Sequence, residues 1–260
     1  MKRIHLFEFE DLSWFPTSIR NYGTDFLRAL AVKTRIYQRS IPIIKKAIDD
    51  SGTGQVVDLC SGGGGGWESI AKSVKKDIPG LKIHLTDYYP NIDAFERIYH
   101  KAPEVFTFDR RKIDALAVPD DLKGIRTLFL CFHHFDPVSA KKIIQDAVNA
   151  NCSIAIFEAQ KRDLFHFILF LFSPLGVAFI TPFVKPFSLK RIFFTYIIPV
   201  VPSFILWDGL ISVLRSYKLE EIQQMTYDLS KTHNYKWESG RIKTGPSSIF
   251  YFVGHLSKTE

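Results

Sequence analysis

The stretch VVDLCSGGGGGW, residues 56–67, runs from an apolar segment ending in an acid straight into five glycines. Glycine loses more backbone entropy on folding than any other residue, so such a run is costly unless the backbone there does something that side chains would prevent. A flexible linker accounts for the composition but not for the setting. QVVDL reads as a short buried strand, and residues from about Trp67 to Lys76 read as a helix. The glycines therefore occupy a strand-to-helix turn, where a ligand can touch backbone.

The same alternation continues outward. LKIHLTD (81–87), VFTF (105–108), RTLFLCF (126–132) and SIAIFEA (153–159) read as strands. PNIDAFERIYH (90–100) and DPVSAKKIIQDAVNA (136–150) read as helices, the second with Asp136 as N-cap and Pro137 in the first position. Upstream, residues 16–50 read as two helical segments, the second beginning near Pro42. Repeated β-α-β units imply an α/β fold around a parallel sheet, whose ligands bind beyond the carboxyl ends of the strands. Those ends carry Asp58 to Gly62, Asp87, the Phe108 to Asp114 region, the pair His133 and His134, and Glu158.

At 260 residues with 46% hydrophobic and 23% charged side chains, the chain can bury a sizeable core and is not disordered. The formal net charge of +7 suits an acidic partner or an anionic membrane surface. No nucleic-acid-binding motif is present, and no nucleic-acid partner is expected. Cys60, Cys131 and Cys152 are odd in number and lack metal-type spacing. A reducing compartment is expected, with neither a disulfide framework nor a metal site. In MKRIHLFEFEDLSWF the first basic residues are followed by Glu8, Glu10 and Asp11 with no apolar core, so no secretory signal is expected and the location is read as cytoplasmic.

Two nucleotide-binding readings of the glycine run fail. In G-x-G-x-x-G the third glycine would fall on Trp67, Glu68 or Ser69 in the available registers, and no Gly-Lys-Ser/Thr follows to make a P-loop. What remains is Asp58-Leu59-Cys60-Ser61-Gly62-Gly63-Gly64. This resembles motif I of the class I S-adenosylmethionine-dependent methyltransferases, with Cys60 where the first glycine usually stands. KIDALAVPDDL resembles the family's Asp-Ala-x-x-Leu-Pro stretch, FLCFHHF its fourth motif, and YKWESGRI with SSIFYFVGHL its last two strands. The likeness covers about residues 50–160 and 215–257.

The resemblance implies a doubly wound, mostly parallel seven-stranded sheet with the last strand antiparallel. N-terminal helices (1–50) would cap a Rossmann-like domain (51–260) interrupted by an apolar helical insertion at about 161–215. It implies S-adenosyl-L-methionine as cofactor. Motif I would contribute Asp58, Cys60, Ser61, Gly62, Gly64 and Trp67 to its site, with Trp67 equally readable as a core aromatic. Asp87, 29 residues after Asp58, would take the ribose hydroxyls beside Tyr88. Asp114 would take the adenine amino group, with Asp109 as its competitor, while Ala115 offers its N–H and Phe132 completes the site. One of His133 and His134 would serve as base or acceptor binder, or the two would only hold their loop. Cys60 and Cys131 read as small apolar fillers.

Residues 164–184 and 192–207 form two runs without Lys, Arg, Asp or Glu. Pro174, Pro182, Pro199 and Pro202 interrupt them, and basic residues flank the first on both sides. A lid over the active-site mouth is the first expectation, contact with a membrane interface the second, which would bring the protein to the inner face of the membrane, and a true span the third. Tyr196 and Trp207 in this region, Trp14 and Tyr22 upstream, and Glu158 are the expected acceptor-binding residues. The expected activity is methyl transfer to a small hydrophobic acceptor, first at oxygen. A membrane-associated cofactor-binding protein without turnover and a nucleotide-dependent oxidoreductase are the alternatives. The sequence leaves the oligomeric state open.

Overall fold

The computed structural model describes residues 1–232, 235–245 and 247–256. Its centre is a seven-stranded sheet in the order β3-β2-β1-β4-β5-β7-β6. The strands are β1 (Gln55–Leu59), β2 (Lys82–Leu85), β3 (Phe106–Phe108), β4 (Ile125–Phe129), β5 (Ile154–Glu158), β6 (Tyr235–Thr244) and β7 (Ser247–Leu256). The first five are parallel, and β7 runs antiparallel to both β5 and β6. The order reverses between β1 and β4, which opens a crevice at the carboxyl end of β1.

The connecting helices are α1 (Thr17–Thr34), α2 (Ile41–Ser51), α3 (Gly65–Lys75), α4 (Ile92–Lys101), α5 (Pro137–Asn149) and α10 (Leu219–Thr232). Asp136 caps α5 as its sequence suggests, its carboxylate accepting the N–H groups of Val138 and Ser139. One apolar layer joins Ile44, Ala47 and Ile48 of α2 with Trp67, Ile70 and Val74 of α3 and the near face of β1–β3. The other joins Ile143, Ile144 and Ala147 of α5 with Ile222 of α10 and Val57, Leu128 and Ile156 of the sheet. Thus α2 belongs to the sheet's own core, and only the segment up to α1 stands over it.

The insertion is helical: α6 (Leu164–Leu171), α7 (Ser173–Ile180), α8 (Leu189–Tyr196) and α9 (Val200–Arg215). Asp208 lies inside α9, whose first turn holds Pro202, because Pro199 and Pro202 sit where a helix has no partner for an N–H. α9 packs against α6, α7, α8 and α1. A separate apolar cluster of Phe15, Ile19, Phe26, Val177, Val201, Phe204 and Ile205 seals that junction.

Candidate active site

A pocket of about 310 Å³ lies at the carboxyl ends of β1, β2 and β4. It gathers Asp58, Cys60, Ser61, Gly62, Asp87, Tyr88 and His134 from the sequence expectations, with further walls from the N-terminal segment and α1.

The glycine turn is shaped by two needs. Gly64 caps α3 with φ +77°, a left-handed conformation that side chains resist. Gly65 lies against α1 so closely that a Cβ would meet the Arg28 Cα at 2.7 Å. The turn is therefore pressed onto α1 on one side and open to the pocket at Gly62. The Gly62 N–H donates to Asp87 Oδ2 at 2.8 Å, and the Tyr89 N–H to Oδ1 at 2.8 Å. Burial raises the Asp87 carboxyl, opposed by these two donors. Each carboxylate oxygen keeps a lone pair for a further donor.

Asp58 lies beneath the turn, 3% exposed. The Trp67 indole N–H donates to Thr127 Oγ1 at 2.9 Å, and that hydroxyl donates to Asp58 Oδ1 at 2.7 Å. Ser61 Oγ donates to Asp58 Oδ2 at 2.7 Å. Burial pushes the Asp58 carboxyl up to about 7 against these hydrogen bonds. Trp67, expected at the cofactor, is instead fully buried and outside the pocket lining, acting on the site through Thr127 and by packing against the pocket residue Phe129.

The two histidine rings lie 4.4 Å apart but take different partners. The chain leaves β4 at Leu130 (φ +53°), earlier than the strand read from sequence, and forms a short 3-10 turn over Phe132–His134. His133 turns inward: it is 2% exposed, and its Nδ1 lies 2.8 Å from Glu158 Oε2. Glu158 Oε1 accepts the Phe132 N–H at 2.7 Å. Glu158, at 1% exposure, therefore holds the loop and is not placed to bind an acceptor; Phe132 and His133 are likewise buried outside the pocket lining. His133→Ala strands a buried carboxylate and is expected to lower stability by about 1–3 kcal/mol, read as a shifted urea midpoint. A wild-type midpoint would contradict this structural role.

His134 faces the pocket and meets three carboxylates from one segment: Asp11 Oδ1 at 2.9 Å, Glu10 Oε1 at 3.3 Å and Glu8 Oε2 at 3.5 Å. Burial works against its charge, but Glu8, Asp11 and Glu10 together hold its pKa well above the ordinary histidine value. These carboxylates favour its protonated, charged form. Burial raises Glu10 to about 7 despite His134, with the neighbouring acids adding to the rise. Asp11 moves the opposite way: burial is outweighed by His134 and Arg215, which hold it below the carboxylate range.

α9 fastens this acidic strap. Asp208 accepts the N–H groups of Phe9 at 2.8 Å and Glu10 at 3.1 Å. Arg215 reaches Glu8 at 2.9 Å and Asp11 at 2.6 Å, and donates to the His134 carbonyl at 2.8 Å. From α1, Arg20 donates to the carbonyls of Glu10 and Leu12. Sequence reading used Glu8, Glu10 and Asp11 only to argue against a signal segment. Their pairing with residues some 200 positions away left no local signal.

The remaining expectations fall elsewhere. Asp114 accepts the Leu116 N–H, capping its own turn, and Ala115 is buried in the core; neither lines the pocket. Its competitor Asp109 is held by Arg111. Gly64 shapes the turn without lining the pocket. Trp14 is 68% exposed, and Tyr22 packs in the α1–α9 junction. The Tyr196 hydroxyl donates to the Ala178 carbonyl, and the Trp207 indole donates to the Phe7 carbonyl at 3.1 Å. None of these four lines the pocket. Nor does any described residue of 161–215, so the insertion forms no wall of the pocket; it reaches the site through α9, which fastens the strap, and through the Lys185 carbonyl, which accepts from the pocket residue Arg28 at 2.7 Å.

Neither a protein-family model nor a curated protein matches the sequence. Among solved structures, the methyltransferase domain of a bacterial CtHen1-CN is similar to this chain with a TM-score of 0.51 at 12% identity, over 85% of this chain and 100% of that one. The plantazolicin methyltransferase BpumL, solved in complex with SAH, gives 0.49 at 12% identity over 93% and 96%. An O-methyltransferase family protein from Burkholderia thailandensis gives 0.48 at 17% identity over 87% of this chain, which spans only 58% of its length. The sheet order with its antiparallel last strand, together with the first of these likenesses, establishes the class I methyltransferase fold.

Proposed function

We propose that this protein is an S-adenosylmethionine-dependent methyltransferase acting on the oxygen of a small hydrophobic acceptor. The observation that carries this reading is the joining of the glycine turn to Asp87 through the Gly62 N–H, at the mouth of the crevice, with Glu10 and His134 in the same pocket. BpumL's complex with SAH supports the choice of cofactor.

The residues present fit that cofactor. The free lone pairs of Asp87 suit the two hydroxyls of a ribose. When bound, S-adenosylmethionine supplies an electrophilic methyl on a sulfonium, so the protein's task is alignment and proton removal. Leu27, Ala31, Phe129 and Phe135 give the pocket apolar walls for the acceptor. The base is Glu10 rather than either histidine. A group that titrates near 7 is matched to taking a hydroxyl proton at neutral pH, whereas an imidazolium has no free lone pair. His134 then holds Glu10 in place and stabilises its charge once the pH exceeds 7.

Calorimetry with S-adenosylhomocysteine and with NAD separates this reading from the oxidoreductase alternative. Detection of methylated product with a panel of phenols and lipophilic acids separates it from a binding protein without turnover. Asp87→Ala is expected to weaken S-adenosylhomocysteine binding by about tenfold or more through loss of charge-assisted hydrogen bonds. Unchanged affinity in that folded variant removes Asp87 from the cofactor site.

A further inference from the structure

The insertion's outer face carries more exposed apolar surface than the fold needs. Most of the exposed large apolar side chains of the described chain fall between residues 164 and 198. Phe172, Leu175, Phe179, Leu189 and Ile197 are 60–76% exposed, and each offers on the order of 100 Å² to solvent. α6, α7 and α8 all pack on α9 and touch in succession, so these exposed side chains lie on adjoining helices. A soluble monomer rarely leaves more than a few hundred Å² of contiguous apolar surface uncovered.

Charge indicates what covers it. From 164 to 207 there is no Asp or Glu. Lys185 and Lys190 are exposed on this segment, and exposed Lys33 sets its ammonium 4.5 Å from the Phe183 ring centre. The one other cation of the segment, Arg191, is turned inward onto Asp25. An apolar surface with lysines and no acid matches the boundary between acyl chains and anionic headgroups.

Helix length and bending argue against crossing. α6, α7 and α8 have eight residues each, about 12 Å of helix against a hydrocarbon layer of about 30 Å. No single described helix is long and apolar enough to span; two helix pairs together reach the length and apolarity of a span, but they are bent by 49° and 70°. The second pair includes α9, whose Asp208, Ser212 and Arg215 are committed to the strap.

We propose that the outer face of α6–α8 docks this protein on an anionic lipid bilayer, lying in the interface of one leaflet without crossing it. Docking there would place it at the inner face of a membrane, and the Lys185–Arg28 contact would set the pocket directly behind the docked surface.

Flotation with vesicles of phosphatidylcholine, alone and mixed with phosphatidylglycerol, tests this without cofactor or turnover, so its failure is separate from failure of the methyl-transfer reading. The wild-type chain should float with the mixed vesicles. Leu175→Ser/Phe179→Ser, both at exposed positions, should reduce bound protein about tenfold or more while keeping the wild-type melting temperature. Lys185→Glu/Lys190→Glu should lose the preference for anionic vesicles. Three results overturn the proposal. The first is a wild-type chain that stays off both vesicle types, including one whose light scattering shows a second copy covering the face. The second is a double serine variant that binds like wild type. The third is vesicle-bound protein that resists carbonate extraction and has protease-protected segments, which marks a span.

Discussion

Glu10→Gln is expected to slow methyl transfer by about 10²–10⁴-fold while S-adenosylhomocysteine still binds with near wild-type affinity. Glutamine keeps the shape and the backbone contacts of the strap, the N–H to Asp208 and the carbonyl to Arg20, and removes only the proton acceptor. The pH profile is the sharper readout. Burial raises the Glu10 carboxyl to about 7, so the wild-type kcat should climb as pH rises through that value and the carboxylate forms. The variant should lack that limb, and its deficit should shrink at high pH if the acceptor is a phenol that ionises unaided. The same shift has a stability consequence of definite sign. The folded state binds this proton more tightly than the unfolded chain does, so its contribution is full below the ordinary glutamate value, declines as pH rises toward 7 and is flat above. An unchanged acid limb in Glu10→Gln would assign the titration to another group, Asp58 first among them.

Gly64→Val should act on folding more than on binding. At φ +77° a β-branched residue costs about 1–2 kcal/mol, and the new Cβ would lie 2.3 Å from Ile98 Cδ1 in the core, adding about 1–3 kcal/mol of overpacking. A total of about 2–5 kcal/mol should lower Tm by roughly 4–20 °C. The sequence alone suggests that this side chain would fill space beside the cofactor. The structure points it at Ile98 and Leu85 instead, so cofactor affinity in the surviving folded fraction should fall much less than stability. An intact Tm with abolished S-adenosylhomocysteine binding would reverse that assignment.

The architecture was legible because each parallel strand is a brief apolar run followed by turn chemistry, and such runs mean little else when helices separate them. The carboxyl-end rule then located Asp58, Gly62, Asp87 and His134 without reference to side-chain packing. It failed where two neighbouring side chains take different partners. His133 and His134 are indistinguishable as letters, and only the buried Glu158 claims the first. Trp67 reads the same as ligand platform or core anchor, and its partner Thr127 lies on another strand. The proposed base was out of reach for a further reason: Glu10 is an ordinary surface acid until Asp208 and Arg20 fold its segment over the pocket.

α9 faces two ways. Its polar side fastens the strap that brings Glu10 and Asp11 to the pocket, while Gly209 on the same helix lies so close to the Phe170 ring of α6 that a Cβ would meet it at 2.3 Å. The insertion is therefore not a detachable module. Excising 164–215 to obtain a more soluble enzyme would take the chemistry with it.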